Sequence, residues 1–137
     1  MSGWLLDTNV ASHIIRGDRP QITRRLVSLP MSEIAISSIT EAELHYGLVR
    51  RDRPPALAER IAQFLLRVDV LAWDRGAAQA YGDLRARCDA RGVSLTPLDM
   101  MIAAHALAAE RVLVTRDKAF SRLADRLEID PWGEGDG

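Results

Sequence analysis

Short apolar runs alternate with longer amphipathic stretches along this chain. Trp4-Leu5-Leu6 is the first such run and stops at Asp7, the pattern of a short buried strand. Helical spacing follows over residues 8–16, closed by Gly17-Asp18, and a second short helix is predicted over 21–29. Ile34-Ala35-Ile36-Ser37 predicts the next strand, running into a helix from 41 to about 51. Pro54-Pro55 breaks that helix and starts another over 56–67. Residues 68–73 alternate as a third strand, and a long helix over 75–91 ends at Gly92. Pro97 opens a helix reaching about 110, and Arg111-Val112-Leu113-Val114 is a β-branched run that predicts the fourth strand. A short helix over 119–125 and an edge strand at Glu128-Ile129-Asp130 complete the pattern, while residues 133–137 have almost nothing to bury and are expected to fray.

Strand and helix in alternation imply parallel strands joined by right-handed crossovers. The expected fold is therefore α/β, a three-layer α/β/α sandwich around a central, mostly parallel twisted sheet. A chain of 137 residues fits one such domain, taken as residues 1–132. Composition agrees: 47% hydrophobic and 27% charged residues are the proportions of a globular protein, not of a disordered or membrane one. The longest apolar stretch, 100–109, is too short to span a bilayer and contains His105. Asp7 and Arg16 interrupt the place where a signal peptide would need its apolar segment. A single cysteine, Cys88, excludes an intrachain disulfide and any multi-cysteine metal site, so a cytoplasmic protein with no membrane association is expected.

Net charge changes the picture only slightly. At −1 the whole-molecule field does not draw the protein onto nucleic acid. Seventeen of the eighteen basic residues are arginines, the side chain suited to bidentate phosphate contact. A GC-rich genome is the better explanation of that bias.

The informative feature is where four acids fall. Asp7 follows the first strand, Glu43 lies in the first turn of the predicted helix after the second, Asp99 lies in the first turn of the Pro97 helix, and Asp117 comes three residues after Val114. In parallel α/β folds, sites gather at the carboxyl ends of strands near a switch in strand order. Three of the acids belong on that edge by topology, and Asp99 joins them if its helix begins there. Each also has an ordinary structural explanation. Thr40-Glu41-Ala42-Glu43 and Thr96-Pro97-Leu98-Asp99 match capping-box spacing, and Asp7 and Asp117 suit helix N-caps. Convergence of all four favours a site. Gathered carboxylates repel unless a cation joins them. Oxygen ligands without histidine or cysteine suit Mg²⁺ or Mn²⁺, whose natural chemistry beside phosphate is phosphodiester hydrolysis by a metal-activated water.

The same residues carry a family resemblance. Leu5-Leu6-Asp7-Thr8-Asn9-Val10, Ile36-Ser37-Ser38-Ile39-Thr40-Glu41-Ala42-Glu43-Leu44-His45-Tyr46-Gly47, Leu98-Asp99-Met100-Met101-Ile102-Ala103-Ala104-His105-Ala106-Leu107 and Leu113-Val114-Thr115-Arg116-Asp117 resemble, in order and spacing, the four blocks of PIN domains. The chain is most similar to the VapC-type toxins of VapBC toxin–antitoxin modules. That resemblance implies an Mg²⁺- or Mn²⁺-dependent endoribonuclease acting on RNA, usually a homodimer, restrained by a VapB-type antitoxin. It makes Asp7, Glu43, Asp99 and Asp117 the catalytic, metal-site carboxylates. It sets Thr8, Asn9 and Thr115 beside them as groups that orient acids or waters. Lys118 is placed to pair with Asp117.

Glu41 and Glu43 stand about 200° apart on a helix, so only one can face the site. Glu43 shares the apolar side with Leu44, Gly47 and Leu48, which turns it inward and leaves Glu41 solvated. His13, His45 and His105 are read as structural, Trp4, Trp73 and Trp132 as packing, and Arg50-Arg51-Asp52-Arg53 as a solvated helix end. A receiver-type signalling domain would need a second acid after the first strand, and a haloacid dehalogenase-like phosphatase an acid at position 9, where Asn9 stands. The remaining alternative is a catalytically inactive PIN-like module that binds RNA or protein.

Overall fold

Leu5 and Leu6 are adjacent in sequence, wholly buried, and on opposite faces of a sheet, which sets the architecture. The protein is described by a computed structural model over residues 3–132. Its strands are β1 (Trp4–Leu6), β2 (Ile34–Ser37), β3 (Asp69–Leu71), β4 (Val112–Val114) and β5 (Ile129–Asp130), in the order β3-β2-β1-β4-β5. Every neighbouring pair is parallel, so the sheet is parallel throughout and not merely mostly so. Leu5 lies level with Ala35 and Leu113 in one core, and Leu6 lies level with Ile36 and Val114 in the other. Both faces are covered, hence the continuous apolar runs of the central strands.

The helices are α1 (Thr8–Arg16), α2 (Pro20–Ser28), α3 (Ser38–Arg50), α4 (Pro55–Leu65), α5 (Arg75–Arg91) and α6 (Pro97–Ala109). One core joins the sheet to α5 and α6 through Leu84, Cys88, Ile102 and Ala103, with Phe120 and Leu123 from the segment after β4. The other joins it to α1, α2 and α4 through Val10, Ile15, Ile22 and Phe64. Three layers result. Each fully buried Leu or Ile in these cores contributes roughly 1.5–3 kcal/mol.

Most predicted elements are found within a residue or two, and Gly17 and Gly92 end α1 and α5 in the left-handed conformation, as their positions predict. Three differences have physical reasons. The helix expected from Glu41 begins at Ser38, because Ser37 serves as both last strand residue and N-cap, its hydroxyl accepting from the Ile39 amide. The helix expected over 119–125 is a 3-10 helix, Lys118–Leu123, too short to settle into α geometry. A further 3-10 turn at Met31–Glu33, unannounced by any periodicity, lifts the chain into β2. The tail at 133–137, expected to fray, lies outside the described residues. No helix among the described residues is long and apolar enough to cross a membrane.

From β1 the chain winds outward to β2 and β3, then crosses back to β4 and β5 on the other side of β1. The strand order therefore reverses between β1 and β4. Their carboxyl ends form the crevice where ligands of such sheets bind.

Candidate active site

Asp7 stands at that crevice. It follows β1 immediately, and its amide donates to the Val114 carbonyl at 3.0 Å, tying it to the end of β4. The residue is buried, 4% exposed. Oδ1 accepts from the Val10 amide at 2.8 Å, as an N-cap does, and Oδ2 accepts from the Thr115 hydroxyl at 2.5 Å. The capping reading is thus true of one oxygen only. Burial pushes the Asp7 carboxyl up from 3.8 to about 6, opposed by the bonds from Thr115 and Val10 and reinforced by the charges of Asp99 and Asp117.

Asp99 and Asp117 reach the same place from either side. Asp99 sits half-buried in the first turn of α6, which does begin on this edge of the sheet. Thr96 caps that helix, accepting from the Asp99 amide at 3.3 Å. Burial raises the Asp99 carboxyl, the Thr96 bond lowers it, and the charge of Asp117 raises it further. Asp117 is exposed, with Oδ1 accepting from the Ala119 amide at 2.9 Å to cap the 3-10 helix. Its own amide donates to the Thr115 hydroxyl at 3.1 Å. Thr115 therefore accepts from the Asp117 backbone while donating to Asp7, which fixes its proton and couples the two loops.

Glu43 lies one helical turn deeper than the sequence suggests. With α3 starting at Ser38, it falls in the second turn, and Thr40, expected to cap it, is a fully buried residue inside the helix. The capping-box reading of Glu43 is thereby excluded. Instead Thr8, the first residue of α1, donates its hydroxyl to Glu43 Oε1 at 2.6 Å. Thr8 Oγ1 also lies 3.1 Å from Thr40 Oγ1, and since its proton is committed to Glu43, Thr40 is the donor of that pair. Glu43 is half-buried beside Leu44, Gly47 and Leu48 while Glu41 is exposed, as the helical angle requires.

Asp7, Asp99 and Asp117 thus sense one another's charge, whereas Glu43 is linked to them only by its bond from Thr8, the residue after Asp7. Thr8 and Thr115 each donate a hydrogen bond to an acid. Asn9 is exposed and shares a pocket with Asp117 and Arg116, and its side chain makes no hydrogen bond to an acid among the described residues. Nor does Lys118 form an ion pair with Asp117 among them. Thr40 is the participant that sequence reasoning missed. Its only signal was a polar residue on the inward face of α3, level with Glu43 to within one turn.

Among the described residues, no three acid, histidine or cysteine side chains stand close enough to ligate a single ion. Mg²⁺ is usually held by one or two carboxylates and several waters, so the all-oxygen donor set fits it without such a cage. Burial disfavours the charge of Asp7, and a nearby cation would favour it.

His105 is buried and structural, as expected. Its Nδ1 is hydrogen-bonded to Ser37 Oγ at 2.8 Å, and the Ser37 hydroxyl also accepts from the Ile39 amide. Burial lowers the His105 pKa, opposed by the charge of Asp74, so the ring is a neutral packing element. Trp73 donates its indole N–H to the Met101 carbonyl at 2.9 Å, and Trp132 is buried against Trp4.

Comparison with known proteins places this chain in a family. Residues 4–126 match the PIN domain family. The chain is 33% identical to the tRNA(fMet)-specific endonuclease VapC of Shigella flexneri, over 96% of this chain and 99% of that protein. It is 30% identical to ribonuclease VapC2 of Rickettsia felis, over 94% and 97% respectively. Among solved structures, DNA-bound VapBC from Salmonella typhimurium superposes with a TM-score of 0.87 at 34% identity, covering 95% of this chain and 98% of that one. The chain belongs to the PIN domain family and is a homologue of the VapC toxins of VapBC toxin–antitoxin systems.

Proposed function

We propose that this protein is a Mg²⁺- or Mn²⁺-dependent endoribonuclease acting as the toxin of a type II toxin–antitoxin pair, with residues 1–132 as its single catalytic domain. The observation that carries the reading is the buried Asp7 carboxylate at the strand-order switch, raised to about 6 and facing the charges of Asp99 and Asp117. Asp7 and Asp99 would hold the ion, with Asp117 and Glu43 completing the acidic surface around it. When bound, the ion supplies a lowered pKa for an attacking water and positive charge for the phosphate oxygens. Thr115 keeps one Asp7 oxygen fixed and Thr8 keeps Glu43 fixed, so the acids need not reorganise when RNA arrives. Glu43, half-buried and hydrogen-bonded on one oxygen, retains a free oxygen able to orient a water.

Restraint by a partner follows from the same reading. Beside Glu43, a groove between α1, α3 and α4 is lined by Ile15, Leu44, Leu48 and Ile61, with Arg16 and Arg51 at its margin. An amphipathic segment of a VapB-type antitoxin fits that chemistry, and an arginine from it would meet the carboxylates in place of the ion. Exposed Tyr46 and Val49 on α3 offer surface for a homodimer.

Incubation of purified, antitoxin-free protein with total bacterial RNA, and with initiator tRNA as the relatives' names suggest, tests the reading. Discrete products in Mg²⁺ or Mn²⁺ and none in EDTA are expected. Folded protein that binds Mg²⁺ yet cuts nothing would favour the inactive binding module.

A further inference from the structure

The molecule carries a net charge of −1, yet four arginines, Arg87, Arg91, Arg122 and Arg126, line a single pocket that no acid lines. The pocket measures about 180 Å³ and lies between the C-terminal half of α5 and the segment that follows β4. Arg91 is neutralised by Asp125 at 2.9 Å, while Arg87, Arg122 and Arg126 have no carboxylate partner among the described residues. The pocket's walls are mostly apolar, so the arginines line it largely with their alkyl stems, and the positive charge that their exposed heads carry makes this surface attractive to an anion.

Two connections bind this pocket to the acidic crevice. Arg122 belongs to the 3-10 helix capped by Asp117, and five residues at 3-10 rise separate them by about 10 Å. Leu84, Cys88 and Leu123 at the pocket's base pack in the same core as Met100, the residue after Asp99. Arg122 thus ties the pocket to the segment that carries Asp117. At about 3.4 Å of rise per nucleotide, 10 Å corresponds to roughly three nucleotides of stacked strand.

We propose that this arginine pocket holds a backbone phosphate of the RNA strand a few nucleotides from the one that is cut. The proposal rests on the ribonuclease reading above, since it is a polyanion seated on the acids that brings a phosphate to this point. Arginine forks match phosphate oxygens bidentately, and a site on the rim of a carboxylate cluster offsets the repulsion that RNA meets there. The contact acts on the backbone and so serves affinity and register, not base identity.

The test compares Arg87→Gln/Arg122→Gln/Arg126→Gln with Arg24→Gln/Arg50→Gln/Arg60→Gln, which removes the same charge from exposed positions elsewhere. Binding of a fluorescein-labelled single-stranded RNA is followed by anisotropy across a salt series, in an Asp7→Asn background so that the RNA stays whole. The pocket triple is expected to reduce the slope of log affinity against log salt by about 0.7, the value for one phosphate on a single strand. The control triple leaves the slope near the parent value. Lysine in place of the three arginines retains the slope, which separates lost phosphate contacts from lost fold. In the active protein the pocket triple raises KM and keeps kcat, as expected when binding is lost equally from ground and transition states. Cleavage by the parent with slope and KM unchanged in the pocket triple would overturn this proposal alone. So would weakened antitoxin binding with unaltered RNA binding. Absence of cleavage by the parent protein under all metal conditions would instead overturn the ribonuclease reading beneath it.

Discussion

Asn is as good an N-cap as Asp, so Asp7→Asn removes a charge while retaining the bond from the Val10 amide. The structure sets the size of the effect. The Asp7 carboxyl titrates at about 6 in the fold against 3.8 in an unfolded chain. Because the folded value is the higher, the native state holds the proton more tightly, and stability falls as pH rises through that interval. The wild type therefore has its full stability from this group below about pH 4 and loses about 3 kcal/mol of it by pH 7, at 1.36 kcal/mol per pH unit. In metal-free buffer, Asp7→Asn is expected to match the wild type near pH 4 and to exceed it by about 3 kcal/mol at pH 7. For a chain of this size that is a melting-temperature difference of roughly 10 °C. Thermal or urea unfolding of both proteins in EDTA at the two pH values makes the comparison, and taking the difference cancels other titrating groups. Added Mg²⁺ should then stabilise the wild type and leave the variant unmoved. A variant less stable than wild type at pH 7 without metal, or a difference that does not grow with pH, would refute the reasoning and return Asp7 to the status of a cap.

Three other perturbations probe the supporting residues. Thr8→Val removes the donor that holds Glu43, so cleavage should fall roughly 10–100-fold in a protein that still folds, read by single-turnover kinetics beside circular dichroism. Thr115→Val leaves one Asp7 oxygen and the Asp117 amide without their partner. A loss of about 1–3 kcal/mol in denaturant unfolding is expected, along with an Asp7 titration shifted still higher by NMR, because the Thr115 bond is what lowers it. Gly3 has φ +87°, and a Cβ there would lie 2.2 Å from the Glu33 carbonyl oxygen. Gly3→Ala should therefore cost more than about 2 kcal/mol and separate the starts of β1 and β2, measured as lost stability and lost protection of β1 amides from exchange.

Legibility in the sequence tracked how local the determining physics was. β1, β2 and β4 were readable because strands covered on both faces must be apolar throughout. The ends of α1 and α5 were readable because a left-handed cap calls for glycine. β3 shrank from the expected 68–73 to Asp69–Leu71 because it is an edge strand with one neighbour, where alternation outlasts pairing. The start of α3 was hidden because Ile39 and Thr40 look like strand residues and Ser37 plays two roles. The approach of Asp7, Asp99 and Asp117 followed from the rule that places sites at strand ends, but Thr40 could not. Its partner Thr8 lies thirty-two residues away, and only the packing of α1 on α3 brings the hydroxyls together. The absence of a Lys118–Asp117 pair was equally invisible, since it depends on Asp117 capping its own helix.

The central claim is that carboxylates anchored on Asp7 hold a divalent ion that cuts RNA. Single-turnover cleavage of one labelled RNA by wild type and Asp7→Asn, first in EDTA and then with Mn²⁺ restored, tests it most directly. Wild-type protein is expected to be silent in EDTA and active once Mn²⁺ returns, with Asp7→Asn folded and silent throughout. Cleavage that persists in EDTA, or a variant as active as the wild type, would contradict it.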